Sequence, residues 1–437
     1  MNHSLSSLAG VFETTLSSLR RWQQRCGPLR RSSRGFAAVL VAAVIGGAAA
    51  SSAAASDLVI VGATVYPAPD APVITNAALL VHDGRIQAIG PRGSVRIPAG
   101  ATVVDETGKV ITAGFWNNHV HLLTPTLIGE KTQTDAALTG ELDRMFTRWG
   151  FTTVFDLAST SATAGDIRRR IEAGVVAGPN ILTVGEPFFP PHGTPSYARP
   201  IYEQYHLPTA EIQSIPQAVA RVDRQVADGV NGIKLFTGAV EGSGVLPMPL
   251  DDARAISAEA HRLGRQVFAH PSNQAGLDVA IDGGVDILAH VSPLSGPWTP
   301  AFVDRLMARH MALIPTLMLF EVYPSTDTPM EVALQQVKAQ AESGGDILFG
   351  TDAGFMDVYD PTAEYRLMGR VLSWRAILAS LTTTPARRFG QADKRGRLAA
   401  GMVADFVVLN GDPAQDVMNF AKVRAVFRGG AVISGAP

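Results

Sequence analysis

Residues 251–270 read Asp251-Asp252-Ala253-Arg254-Ala255-Ile256-Ser257-Ala258-Glu259-Ala260-His261-Arg262-Leu263-Gly264-Arg265-Gln266-Val267-Phe268-Ala269-His270. Ala253, Ile256, Ala260 and Leu263 fall on one helical face, which predicts an amphipathic helix over 251–263. The short apolar run that follows, ending in a polar His270, reads as a buried strand. Strand-like runs of this kind recur at 114–122, 153–157, 180–184, 232–236, 266–270, 287–290, 312–316 and 347–351, with helical stretches between them. Eight such runs over about 280 residues predict an α/β fold, a (β/α)₈ barrel. A doubly wound open sheet is the alternative.

The flanks have a different texture. Leu58-Val59-Ile60-Val61, Ala78-Leu79-Leu80-Val81 and Ile86-Gln87-Ala88-Ile89 are apolar or alternating runs, with Asp83-Gly84 as a hairpin turn between the last two. The far end resumes with Asp405-Phe406-Val407-Val408-Leu409 and Val423-Arg424-Ala425-Val426-Phe427. Neither stretch alone can bury a core. The expectation is one small β-sandwich domain built from both ends, 56–112 and 391–437, interrupted by a barrel over 113–390. The long connection from His192 to about Thr209, rich in Pro and Tyr, reads as a lid or substrate loop.

Composition narrows the function. The 437 residues include 37 Lys+Arg, 39 Asp+Glu and a single cysteine, Cys26. That excludes a disulfide-stapled scaffold and a Cys-rich metal site. Residues 1–55 hold six Arg and one Glu (+5), so the remainder carries 31 − 38 = −7. Such a body has no electrostatic attraction to nucleic acid. Arg30, Arg31 and Arg34 precede an apolar stretch from Phe36 to about Ala50 and then Ser51-Ser52-Ala53-Ala54-Ala55. This is the pattern of a signal peptide, and it predicts export to the periplasm or medium with cleavage near Ala55. The run is too diluted by Ala, Gly and Ser for a stable membrane span.

Polar residues recur at the carboxyl ends of the apolar runs. His119-Val120-His121 places two imidazoles on one strand face. His270, His290 and Asp352 each end or follow such a run, and Lys234 lies inside another. In a barrel these ends converge on one mouth. A lone buried lysine is costly, and four histidines with an aspartate around it point to a metal site.

This constellation resembles the amidohydrolase superfamily in its binuclear, carboxylated-lysine form. Gly114-Phe115-Trp116-Asn117-Asn118-His119-Val120-His121, Phe349-Gly350-Thr351-Asp352-Ala353-Gly354 and Gly401-Met402-Val403-Ala404-Asp405 are similar to phrases of the imidazolonepropionase-like and prolidase-like branch. Ala113 and Asn117 depart from that pattern, where Pro and Asp are usual. The resemblance implies two divalent ions, zinc with manganese or cobalt as alternatives. It places His119, His121 and Asp352 on one ion, His270 and His290 on the other, and Lys234, carboxylated by CO₂, between them. It further implies attack by a metal-bridging hydroxide, with Asp352 as proton shuttle.

The branch includes Xaa-Pro dipeptidases and ochratoxin-cleaving enzymes. Hydrolysis of an amide bond in a dipeptide or N-acyl amino acid is therefore expected, by a homo-oligomer acting on small molecules. Lactone, phosphotriester or cyclic-amide hydrolysis on the same scaffold is the alternative, and a non-catalytic binding protein a further one. On the long loop, His192, Tyr197 and Arg199 are candidate substrate contacts.

Overall fold

The computed structural model describes residues 57–242 and 244–437. The signal peptide expected over residues 1–55 lies outside the described residues. Among these no helix is long and apolar enough to cross a membrane.

Seven parallel strands follow the expected runs: Phe115–Val120, Phe151–Asp156, Asn180–Thr183, Gly232–Leu235, Gln266–Ala269, Ile287–Ala289 and Ala312–Ile314. The first three pair in order, as do the last four. Two joins complete the ring. Asn231 N–H donates to the Thr183 carbonyl at 2.7 Å, and Phe188 bridges to Leu235 in parallel. On the other side Ile347 bridges to Leu313, and the chain then returns to the first strand. There Asn118 N–H donates to Phe349 O at 2.7 Å and Asp352 N–H to His119 O at 2.8 Å.

The eighth run is thus not a regular strand. Only Ile347 pairs with its neighbour before the chain turns through Asp352 (φ 61°) and Gly354 (φ 97°). Both flanking glycines are required by close approach. A Cβ on Gly350 would run into Ile314 and the His119 side chain, and one on Gly354 into the His121 carbonyl. The seventh strand stops at Ile314 rather than at 316, because Thr316 adopts a left-handed conformation.

Parallel strands covered by helices are buried on both faces, which explains their continuous apolar sequence. Trp116, Phe155, Phe268 and Leu348 pack the barrel interior, with Phe389 stacked on Trp116. The helix Leu250–Arg262 turns Ala253, Ile256 and Ala260 inward as its spacing predicts.

Two sheets pack at the other end. One orders Arg85–Pro91, Ala77–His82, Leu58–Val61 and Thr102–Asp105. The second orders Ala431–Gly435, Val423–Arg428, Phe406–Leu409, Val110–Ala113 and Thr64–Tyr66, so strands from both chain ends share one sheet. A core of Ile60, Leu79, Ile86, Ile111, Phe406 and Phe427 lies between the sheets. Asp83 and Gly84 form the hairpin turn with positive φ at both positions.

Candidate metal centre

His119 lies near the end of the first strand and His121 just beyond it; Lys234 is within the fourth strand; His270 and His290 follow the fifth and sixth. Asp352 enters from the chain's return to the first strand. All six residues line one cavity of about 490 Å³. Nε2 of His121 lies 2.7 Å and Nε2 of His119 3.1 Å from the same Asp352 oxygen, while Nε2 of His290 is 3.9 Å from the other. The His119 ring stacks on His290 at 4.4 Å, and His270 meets His290 edge-on at 5.1 Å. Lys234 Nζ donates to the Ala289 carbonyl at 3.2 Å, and no carboxylate lies within ion-pairing distance of it among the described residues.

Burial dominates the electrostatics. It holds His119 and His270 to about 3 and His290 well below its usual range, so these rings are neutral near pH 7 and offer lone pairs. Burial also lowers Lys234 to about 7, partly opposed by Asp352. Asp352 is pushed up by its own burial, but the neighbouring His119, His290 and His121 outweigh this and hold it well below the usual carboxylate range. The Nδ1 atoms of His119 and His121 are buried without a hydrogen-bond partner. Imidazole and carboxylate donors of this kind suit a borderline divalent ion. Ligand atoms of His119, His121 and Asp352 lie within 4.8 Å of one another, a group that could hold a metal.

The long-loop candidates separate. Tyr197 lines the cavity, and burial, reinforced by Asp352, raises its hydroxyl far above the usual range, so it remains a donor. His192 and Arg199 are not among the residues that line the cavity. The Arg199 guanidinium is held outward by Glu241. His192 is exposed, with left-handed backbone at φ 58°. Alanine at either position is expected to change kcat/KM by no more than about twofold, which steady-state kinetics would check.

Among the supporting residues, Asp156 and Glu364 are not singled out by the sequence reading. Asp156 ends the second strand as the ligands end theirs, so its signal was present. It accepts hydrogen bonds from Thr183 Oγ1 at 2.7 Å, from Leu122 N–H at 3.2 Å and from Ser159, tying three strand ends together. Asn117, where Asp is usual, donates from Nδ2 to Thr351 Oγ1 at 2.7 Å and accepts from Thr351 N–H at 3.2 Å, fastening the first strand to the eighth run.

Glu364 gave no sequence signal. It is fully buried, and its Oε2 accepts from Met318 N–H at 2.7 Å. Burial pushes its carboxyl up to about 8. The folded state therefore keeps a proton that the unfolded chain releases near 4.5. The stability this contributes is full below the unfolded value and is lost as pH rises through about 8. Glu364→Gln is expected to flatten that decline, measured as the difference in Tm from the wild type between about pH 5 and about pH 9.

Residues 110–433 match the model of the Amidohydrolase family. The chain is 24% identical over 417 residues to ochratoxinase of Aspergillus niger, covering 84% of each chain. It is 25% identical over 389 residues to imidazolonepropionase of Deinococcus radiodurans, covering 81% of this chain and 92% of that one. Among solved structures, a Xaa-Pro dipeptidase with bound methionine superposes with a TM-score of 0.73 at 21% identity, covering 86% of this chain and 99% of that one. The A. niger ochratoxinase structure gives 0.71 at 19% identity, with 87% and 96% covered. These two likenesses establish the shared fold, and the family match spans both the barrel and the sheet that joins the chain ends. The chain belongs to the amidohydrolase family and is a hydrolase of carbon–nitrogen bonds.

Proposed function

We propose that this protein is a metal-dependent amidase acting on a dipeptide or N-acyl amino acid that carries a bulky apolar or aromatic group, an ochratoxin-like amide among them. The observation that carries this reading is one cavity lined by all six potential ligands and by an aromatic wall. Phe189, Tyr197, Tyr202, Phe236, Phe320 and Phe355 all contribute to that wall.

His119, His121 and Asp352 would hold one divalent ion and His270 and His290 a second, zinc being the best fit to these donors. Such ions, when bound, supply Lewis acidity and lower the pKa of water. Near and above its depressed value a substantial fraction of Lys234 is a free amine. Its nitrogen can add to CO₂, forming an N–C bond and releasing one proton, so that a buried cation becomes an anionic carbamate. Asp352 stays ionised and can take the proton of the attacking water on Oδ, then deliver it to the departing nitrogen. Tyr197 keeps its proton and can donate to the substrate carbonyl oxygen. The aromatic wall binds the apolar portion and excludes water from the reacting bond.

The test is a hydrolysis panel with the purified, zinc-loaded protein. N-acyl-phenylalanines and aromatic dipeptides should show kcat/KM at least about tenfold above glycine counterparts, as expected when a large side chain fills an apolar pocket. Turnover confined to lactones, phosphotriesters or cyclic amides would overturn the reading.

A further inference from the structure

The four histidines of the centre are not held alike. Among the described residues the Nδ1 atoms of His119 and His121 have no hydrogen-bond partner, whereas His290 Nδ1 sits in hydrogen-bond contact with Thr316 Oγ1. Thr316 itself is fully buried, and its hydroxyl also donates to the Pro315 carbonyl at 2.8 Å. A hydroxyl has one proton. The carbonyl can only accept, and among the described residues no backbone N–H reaches it. With the hydroxyl proton on the Pro315 carbonyl, Thr316 Oγ1 is left to accept from His290. This requires the proton of the neutral imidazole to be on Nδ1, with the lone pair on Nε2, the atom that faces Asp352.

The backbone supports a dedicated placement. Thr316 is β-branched yet adopts φ 47°, ψ 49°, a left-handed conformation such residues avoid. It leads directly into the helix Leu317–Val322, from which Leu319 and Phe320 reach the cavity. The buried carboxyl of Glu364 anchors that helix start through Met318 N–H. The segment is thus fixed at both its first residues, and the ring of His290 is fixed with it.

We infer that Thr316 is a positioning residue: it locks His290 in the Nδ1–H tautomer and aims Nε2 into the centre, so that this ligand is set before any ion arrives. The inference rests on the metal-dependent reading above, but its first test does not need catalysis. A long-range ¹⁵N–¹H correlation spectrum of histidine-labelled, full-length protein reports the tautomer of each ring. His290 is expected to show a protonated Nδ1 both in zinc-loaded protein and after chelation. A protonated Nε2 in the chelated wild type would overturn the inference without any variant being made, and it would leave the amidase reading untouched.

Substitution supplies the second test. Thr316→Val removes the hydroxyl with little change in shape, and zinc affinity in competition titrations is expected to fall about 10- to 100-fold. Thr316→Ser should restore both the affinity and the Nδ1–H signal. If Thr316→Val binds zinc within twofold of the wild type, or if both variants merely lower Tm with an unchanged tautomer, the residue is structural only. A wild type that binds no zinc, yet shows His290 as Nδ1–H, would instead count against the metal-dependent reading alone.

Discussion

Asp352→Asn is expected to lower kcat by about 10⁴-fold, the upper range for removing a positioned proton-transfer group, with the fold retained. Asparagine keeps the size of the side chain but neither its charge nor its capacity to take a proton. The carboxylate is the point at which three imidazoles meet, two of them at 2.7 and 3.1 Å from one oxygen. No other carboxylate belongs to this His-His-Asp group among the described residues; Glu130 and Glu186 line the cavity outside it. The loss should therefore appear in kcat at saturating substrate, with circular dichroism unchanged and metal content measured in parallel. A variant that keeps a tenth of wild-type kcat would remove Asp352 from the proton pathway.

Lys234→Ala carries the second-largest expected effect. The ammonium is 1% exposed and meets one carbonyl, with Asp352 only partly opposing the effect of burial, an arrangement that favours the neutral amine. Conversion to a carbamate would give the centre an anion where the sequence encodes a cation. Alanine removes that anion and leaves a gap beside His270 and His290. Metal affinity should drop at least about 100-fold, the upper end of what loss of a supporting group costs. Added propionate, small enough to enter the gap, should recover part of the activity and of the bound metal. If Lys234→Ala retains metal and activity without propionate, the lysine is a filler and the carbamate is unnecessary.

The barrel was legible because its strands are buried on both faces, and runs such as 232–236 and 266–270 are nearly continuous in apolar residues. The ligands were legible for the same reason, since a histidine or aspartate ending an apolar run stands out against it. The eighth run reads as a strand because Ile347-Leu348-Phe349 is apolar. Its departure from regular pairing comes from Asp352 and Gly354 in left-handed conformations and from the close approach at Gly350, none of which periodicity encodes.

Arg199 shows what sequence spacing leaves out. A loop arginine beside Tyr197 is as plausible a carboxylate receptor as any, and only the fold brings Glu241 to it across 42 residues of sequence. Thr316 and Glu364 were invisible for a related reason. Their roles depend on hydrogen bonds to His290 and to a backbone N–H of a neighbouring segment, contacts that sequence spacing does not reveal.

Anomalous diffraction from zinc-grown crystals of the protein would decide the central assignment. Two peaks are expected among His119, His121, Lys234, His270, His290 and Asp352, with extra density extending Lys234 Nζ into a carbamate. Density showing Lys234 turned away from the other five side chains, with no anomalous peak between them, would contradict it.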